Sequence, residues 1–481
     1  MNGSKAPRWL HALIPSVTDV IFLVIFVGMV RGDLSSLLED GDTGWHIRNG
    51  EIILRQLSVP TSDGFSYTMS GKPWYAWEWL ADILFAALHK AWGLNGVVVC
   101  SALVIGLTFT LWLKLLITRT KNVVLAFVLA LLSLVASTVH WLARPHIFSW
   151  LLVLLWYIAL ERLHSGSDEE EPQGLRPKYV AFFAGSMLLW VNLHGGFVAG
   201  LVLVGIYLTG NAIVYFTTED AKQKQRSLRL GRYLLAIFFV CSLVTLANPY
   251  GYNLHIHIYR YLSNSFIVNH VNEWASPNFH ELGGRLLELL ILMVMVAIAL
   301  RRQRPGYSHL LLIVFWTHLT LYSARNIPLF VLLVVPILAV YVVELMRRGE
   351  EGGLPGPIKG FLAELNRFSS DMTEIELKPR FHLLPVLAVV LGFYACAHRG
   401  QLAGRQAVQA EFDAGKFPVA AASFMETQKL AGNLFSSDYW GGYLIYRFYP
   451  ERKVFVDGRS DFYGDAFLKQ YLEVLTLRWN R

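Results

Sequence analysis

NVVLAFVLALLSLVASTVHWLARPHIFSWLLVLLWYIALERL, residues 122–163, decides the architecture. Two apolar runs, 122–140 and 146–163, flank a turn that carries Arg144, Pro145 and His146. In lipid the backbone has no water to bond, so runs of this kind fold as helices of about 20 residues. Pro145 marks the break, because its ring disfavours helical backbone in the residue before it. The stretch reads as a pair of membrane helices joined by a short polar turn.

Outward from this pair, nine more segments have the same character: 14–31, 95–117, 179–193, 197–216, 233–248, 285–300, 307–323, 327–346 and 381–398. The predicted fold is therefore an all-α polytopic transmembrane bundle of about 11 spans. Composition agrees: 54% of the 481 residues are hydrophobic and only 16% are charged, more apolar surface than one soluble core buries. Ile14 to Val30 runs into Arg31 without a small-residue cleavage site, so it reads as an uncleaved first span, not a signal peptide. Cys100, Cys241 and Cys396 all fall in apolar stretches and show neither disulfide nor zinc spacing.

The net charge of +7 is that of basic loops and implies no nucleic-acid partner. Every second connection is basic: Lys5 and Arg8, Arg119 and Lys121, Arg162 to Lys178, Lys222 to Arg232, Arg301 to Arg304, then Arg347 and Arg348. Excess Lys and Arg mark cytoplasmic loops. The N-terminus is thus expected inside and the C-terminus outside, in the inner (cytoplasmic) membrane. The acidic run Asp168 to Glu171 reads as a solvated inner loop. The expected organisation is a core over 1–348 with an outer loop at 32–94, a cytoplasmic linker at 349–380, a last span at 381–398 and an extracytoplasmic α/β element at 399–481.

The outward connections carry acids, His, Asn and Trp. DGDTGWHI at 40–47 places Asp40 and Asp42 around Gly41, which lets both carboxylates turn to one site. Asp42 and His46 would share the first turn of a helix running to Leu54, with Asp42 as a structural cap or a functional acid. Glu78 lies in PWYAWEWLADILF, ahead of an amphipathic stretch from Leu80 to Leu88 that suits the membrane interface. A carboxylate among aromatics there loses hydration, which raises its pKa. Trp74 and Trp77 fit a headgroup belt. Arg144 is either a snorkelling anchor or a phosphate ligand, since a guanidinium offers planar paired donors. His146, Asn192 and His194 (in VNLHGG), Asn248 (in ANPYG), Glu273 with Trp274, and Arg325 with Asn326 (in SARNIP) complete the outward set. Polar groups at membrane depth are costly unless they line a cavity, and this one-sided placement predicts an outward-opening site.

In the tail, KVFV at 453–456 reads as a strand with Asp457, Gly458, Arg459 and Asp461 at its end, either a ligand loop or a turn held by an Asp–Arg pair. About 80 residues are marginal for a free domain, so the tail should pack on the membrane portion. The end soon after Trp479 suggests a truncated chain.

DGDTGWHI, PTSDGFSYT, GKPW and EWL, with the late WGGYLI and VDGRSDFY, together resemble bacterial, poorly characterised multispanning members of the GT-C glycosyltransferase superfamily. The likeness to protein O-mannosyltransferases and to lipid A aminoarabinose transferases is more distant. It implies transfer of a sugar from a polyprenyl-phosphate-linked donor to an acceptor at the outer membrane face, in the cell envelope. It implies that Asp42 is the general base, that Asp40 is its partner or a metal ligand, and that Glu78 is a third catalytic candidate. His46, Arg144, His146, Asn192, His194, Asn248, Arg325 and Asn326 would bind substrate. Metal use varies across the superfamily; a divalent cation, if one is used, would sit on Asp40 and Asp42. VDGRSDFY departs from the best-known transferases. A membrane transporter and a non-catalytic envelope assembly protein are the competing readings. Transporters place their sites at mid-membrane between repeated halves, whereas the polar groups here sit at helix ends.

Overall fold

The computed structural model describes residues 13–34, 36–165, 177–266, 274–352 and 355–476. Each of the apolar segments forms a helix. Seven are long and apolar enough to cross a membrane: Trp79–Thr120, Val123–His140, His146–Ser165, Gly195–Thr217, Ala221–Val244, Leu282–Leu300 and Ala324–Gly349. The helices Val17–Arg31, Pro177–Leu193, Tyr307–Tyr322 and Leu383–Ala397 are shorter. Fifteen residues, the length of Val17–Arg31, rise only about 22 Å, less than the hydrocarbon thickness of about 30 Å. Length and composition thus give a multi-pass helical membrane protein, with seven spans of full length among the described residues where about eleven were expected. Glu273, Lys5, Arg8 and the acidic run 168–171 lie outside the described residues.

The 42-residue helix Trp79–Thr120 is two helices in line. Gly93, with φ +62°, breaks it where the outer loop was expected to give way to the span at 95. The first half packs tightly on the helix Asp42–Gln56. A Cβ on Gly50 would lie 1.9 Å from the Asp82 carbonyl oxygen, so only glycine permits that approach.

The stretch expected to be a linker instead contains the helix Gly356–Glu376. Its side chains satisfy helix starts that would otherwise leave amide groups unbonded. Thr373 Oγ1 accepts from the Val123 amide (2.9 Å) and Ser369 Oγ from the Val124 amide (3.1 Å). Glu376 accepts from the amides of Val17 and Thr18 (2.8 and 3.2 Å).

The tail folds back on the outer loop. It is mainly helical, through Val419–Thr427, Asp438–Phe448 and Ser460–Leu475, with a two-stranded hairpin of Gln401–Leu402 and Arg405–Gln406. The expected strand at 453–456 is reduced to single bridges from Val454 to Ser66 and Leu434. Four residues flanked by turns have no longer partner edge to pair with, so the strand expected there does not form and the tail's β part is the hairpin alone. Glycines bring helix Asp438–Phe448 onto helix Asp42–Gln56: a Cβ on Gly44 would meet the Gly442 carbonyl oxygen at 2.4 Å.

Candidate functional site

The acidic pair opens the helix Asp42–Gln56, but with the capping role reversed. Asp42 is the first helical residue and Asp40 Oδ1 accepts its amide (2.9 Å). Both carboxylates then turn to Arg144, which donates to Asp40 Oδ2 at 2.7 Å and lies 3.2 Å from Asp42 Oδ2. The turn carrying Arg144 is pinned in place, since the Ala143 amide donates to the Leu37 carbonyl and the Thr43 hydroxyl to that of Ala143. Gly458 covers Asp42 from the tail; a Cβ there would lie 2.3 Å from Asp42 Oδ1.

Glu78 immediately precedes the helix Trp79–Thr120 and sits between two histidines. His194 Nε2 is 3.3 Å from Oε1 and His46 Nε2 is 3.7 Å from Oε2. The protonation of His194 follows from its other nitrogen. Nδ1 accepts from the Gly196 amide (2.9 Å) and faces Ser149 Oγ (2.8 Å), which itself accepts from Trp190 Nε1 (2.7 Å). Its proton in the neutral ring is therefore on Nε2, aimed at Glu78. Burial pushes Glu78 up to about 7, helped by Asp82 and Asp461, against the pull of His46 and Arg144. Burial likewise brings His46 down to about 3 and holds His194 well below the usual imidazole range, with Arg325 and Arg144 adding to the effect on His194.

Glu78, His140, Arg144, His146, His194 and Arg325 line one narrow cleft. It adjoins a cavity of about 390 Å³ walled mainly by apolar groups, among them Trp77, Trp150, Trp274, Phe315 and Trp316. His140, His146, His194 and Arg325 line both, so charge gathers at one end of an apolar chamber. Arg325 stacks on Trp274 (4.4 Å) and has no carboxylate partner among the described residues.

The expected residues do not all line the cleft or the chamber. His46 is fully buried behind Glu78, with Nδ1 2.6 Å from Asp82, so its expected substrate contact is corrected to an indirect role. Asn192 accepts from Trp79 Nε1 and donates to the carbonyls of Leu188 and Ala247. Asn248 closes its own turn through Thr245, Tyr250 and Gly251. Asn326 bonds the Leu319 carbonyl while lining the apolar chamber. His146 lies on the cleft with Nε2 on the His140 carbonyl (3.0 Å).

Sequence reasoning missed Asp82, His140 and Ser149. Asp82 stands four residues after Glu78, on the same helical face, a spacing that could have singled it out. The tail's Asp–Arg pair is a buried clamp. Arg459 donates to Asp457 and Asp63 (2.6 and 2.8 Å) and lies over Trp74 (4.6 Å). Asp461 takes a bond from His257 (2.9 Å).

As a metal site the acidic pair fits poorly. The Arg144 guanidinium already bridges the two carboxylates, and the described residues contain no group of three His, Cys, Asp or Glu placed to hold an ion.

No protein-family model matches the chain, and no curated protein matches it by sequence. Among solved structures it is similar to the crystal structure of the Archaeoglobus fulgidus oligosaccharyltransferase in the apo form, with a TM-score of 0.53 at 11% identity. The match covers 92% of this chain and 64% of that one. The likeness is one of overall fold.

Proposed function

We propose that this chain is a membrane glycosyltransferase that moves a sugar from a polyprenyl-phosphate-linked donor to an acceptor on the outer face of the cytoplasmic membrane. One observation carries the reading: a cleft holding a carboxyl with a pKa near 7 and two arginines opens into an apolar chamber of about 390 Å³. Such a chamber suits a lipid tail, and guanidinium groups at its charged end suit a phosphate. The GT-C-like fold agrees with this chemistry.

In this reading the acceptor hydroxyl attacks the anomeric carbon. The bond from that carbon to the phosphate oxygen breaks, and the hydroxyl proton passes to Glu78. A base is most effective when its pKa lies near the working pH, which favours Glu78 over Asp42. Asp42 and Asp40 hold Arg144, and Arg144 with Arg325 stabilises the phosphate as it leaves. The residues supporting a transporter are fewer: the polar groups sit at helix ends and converge on a cleft, not on broken helices at mid-membrane.

The test is sugar transfer in proteoliposomes supplied with radiolabelled polyprenyl-phosphate sugars. Label leaving the lipid, and lost together in Arg325→Ala and Glu78→Gln, supports the proposal. Intact donor together with altered solute flux would favour transport instead.

A further inference from the structure

His46 is fully buried, yet among the described residues its Nε2 has no hydrogen-bond partner, and an unsatisfied buried nitrogen is costly. Its surroundings are defined on both sides. Nδ1 is held 2.6 Å from Asp82 Oδ1, and Asn49 donates to the other oxygen of Asp82 (2.6 Å). Nε2 points at Glu78 Oε2, 3.7 Å away, so a side-chain shift of under about 1 Å brings it to hydrogen-bond length. On its far oxygen Glu78 faces the Nε2–H of His194.

We propose that Asp82, His46 and Glu78 form a buried proton relay, in which Asp82 is the reservoir and His46 the carrier that sets the charge of Glu78. This deepens the proposed function and rests on Glu78 being its base. Two arrangements hold the same two protons and the same net charge of −1. In the resting one, Asp82 is a carboxylate accepting from His46 Nδ1–H, and Glu78 Oε2–H donates to His46 Nε2. In the other, the Glu78 proton has moved to His46 Nε2 while the Nδ1 proton has moved to Asp82, leaving Glu78 as the carboxylate.

The resting arrangement matches the two histidines that Glu78 meets, one donor and one acceptor, which is what a neutral carboxyl requires. Burial disfavours an anion at either carboxyl; Asn49, which donates to Asp82, favours the carboxylate there, and the nearby Asp461 disfavours one at Glu78. Arg144 on the cleft side favours the second arrangement. His140 and His146 also face the cleft. In transfer, Glu78 must be the carboxylate that takes the acceptor's proton, and the balance between the two arrangements sets the pH at which it is one. That added proton then leaves by way of Glu78, the member of the three that lines the cleft. His46 and Asp82 are positioning residues and touch no substrate.

The relay is tested without turnover, by infrared titration of the protonated-carboxyl band in the purified full chain; the component lost in Glu78→Gln reports Glu78. Asp82→Asn should move the Glu78 midpoint by at least about one pH unit, a tenfold change in proton affinity. In a His46→Phe background the same Asp82→Asn change should move the midpoint much less, leaving only the direct charge effect of Asp82, because the carrier is gone; His46→Gln repeats the comparison should the Phe variant not fold. An unmoved midpoint in Asp82→Asn overturns the relay. So does a shift that persists undiminished without His46, which would make the coupling direct electrostatics. Because the band is read without a sugar donor, the relay can hold or fail separately from sugar transfer.

Discussion

Two buried glutamates, Glu78 and Glu161, stand near opposite ends of the helices that carry them, and their surroundings differ in kind. Glu161 is saturated: Arg119 lies 2.8 Å away, His309 3.1 Å, and the Tyr207 hydroxyl donates to it. Arg119 is further held by Tyr157 (3.0 Å). Glu78 meets its histidines only at 3.3 and 3.7 Å, and its cleft opens to an apolar chamber. A closed ion cluster joins helices, whereas an open one retains capacity for a ligand and a proton. The contrast fits a structural role for Glu161 and the proposed chemical role for Glu78.

The sharpest way to break that assignment is to remove each charge in turn. Glu78→Gln should lower kcat by about 10²–10⁴-fold, the usual contribution of a positioned base, while thermal unfolding shows a folded protein. Glu161→Gln should do the reverse. It leaves Arg119 beside a neutral amide and costs about 3 kcal/mol of stability, with kcat per folded molecule unchanged. Equal effects on both quantities in the two variants would erase the distinction.

A smaller effect probes the cover over the acidic pair. In Gly458→Ala the new methyl group would lie 2.3 Å from Asp42 Oδ1, so Asp42 or the tail must move. Displacement of its partner Arg144 should lower transfer by about tenfold, since positioning errors near 1 Å carry costs of this order or greater. Unaltered transfer would show that the tail only covers the site.

A last effect, read on stability and not on transfer, concerns pH. Glu78 is raised from 4.5 to about 7 by folding, so the folded state holds its proton more tightly. Its contribution is fully present below pH 4.5 and is lost as pH rises through 7. Between pH 5 and 8 the wild type should lose about 2 kcal/mol that Glu78→Gln retains, measured as the difference in thermal unfolding at the two pH values.

The helices were legible because a lipid-facing helix needs a continuous apolar run, and that run is local. Interactions across the fold were not. Nothing near Asp40 and Asp42 says that Arg144, about a hundred residues on, will bridge them. Asp82 lies within the amphipathic stretch from Leu80 to Leu88 and was not singled out; the packing of Gly50 against its backbone, which buries it, joins segments about thirty residues apart. The expected linker misled for a similar reason. Its charged, Gly-containing sequence resembles loop, but Ser369 and Thr373 find unbonded amides on the helix beginning at Val123. Asp42 looked like a cap because it precedes an apolar-periodic stretch; a start one residue earlier passed that role to Asp40.

The central claim is most directly tested by the pH dependence of sugar transfer from a polyprenyl-phosphate donor. A base that must be deprotonated predicts a rate that rises with pH through a midpoint near 7, with that rise abolished in Glu78→Gln. A rate independent of pH across this range, or wild-type transfer by Glu78→Gln, would contradict it.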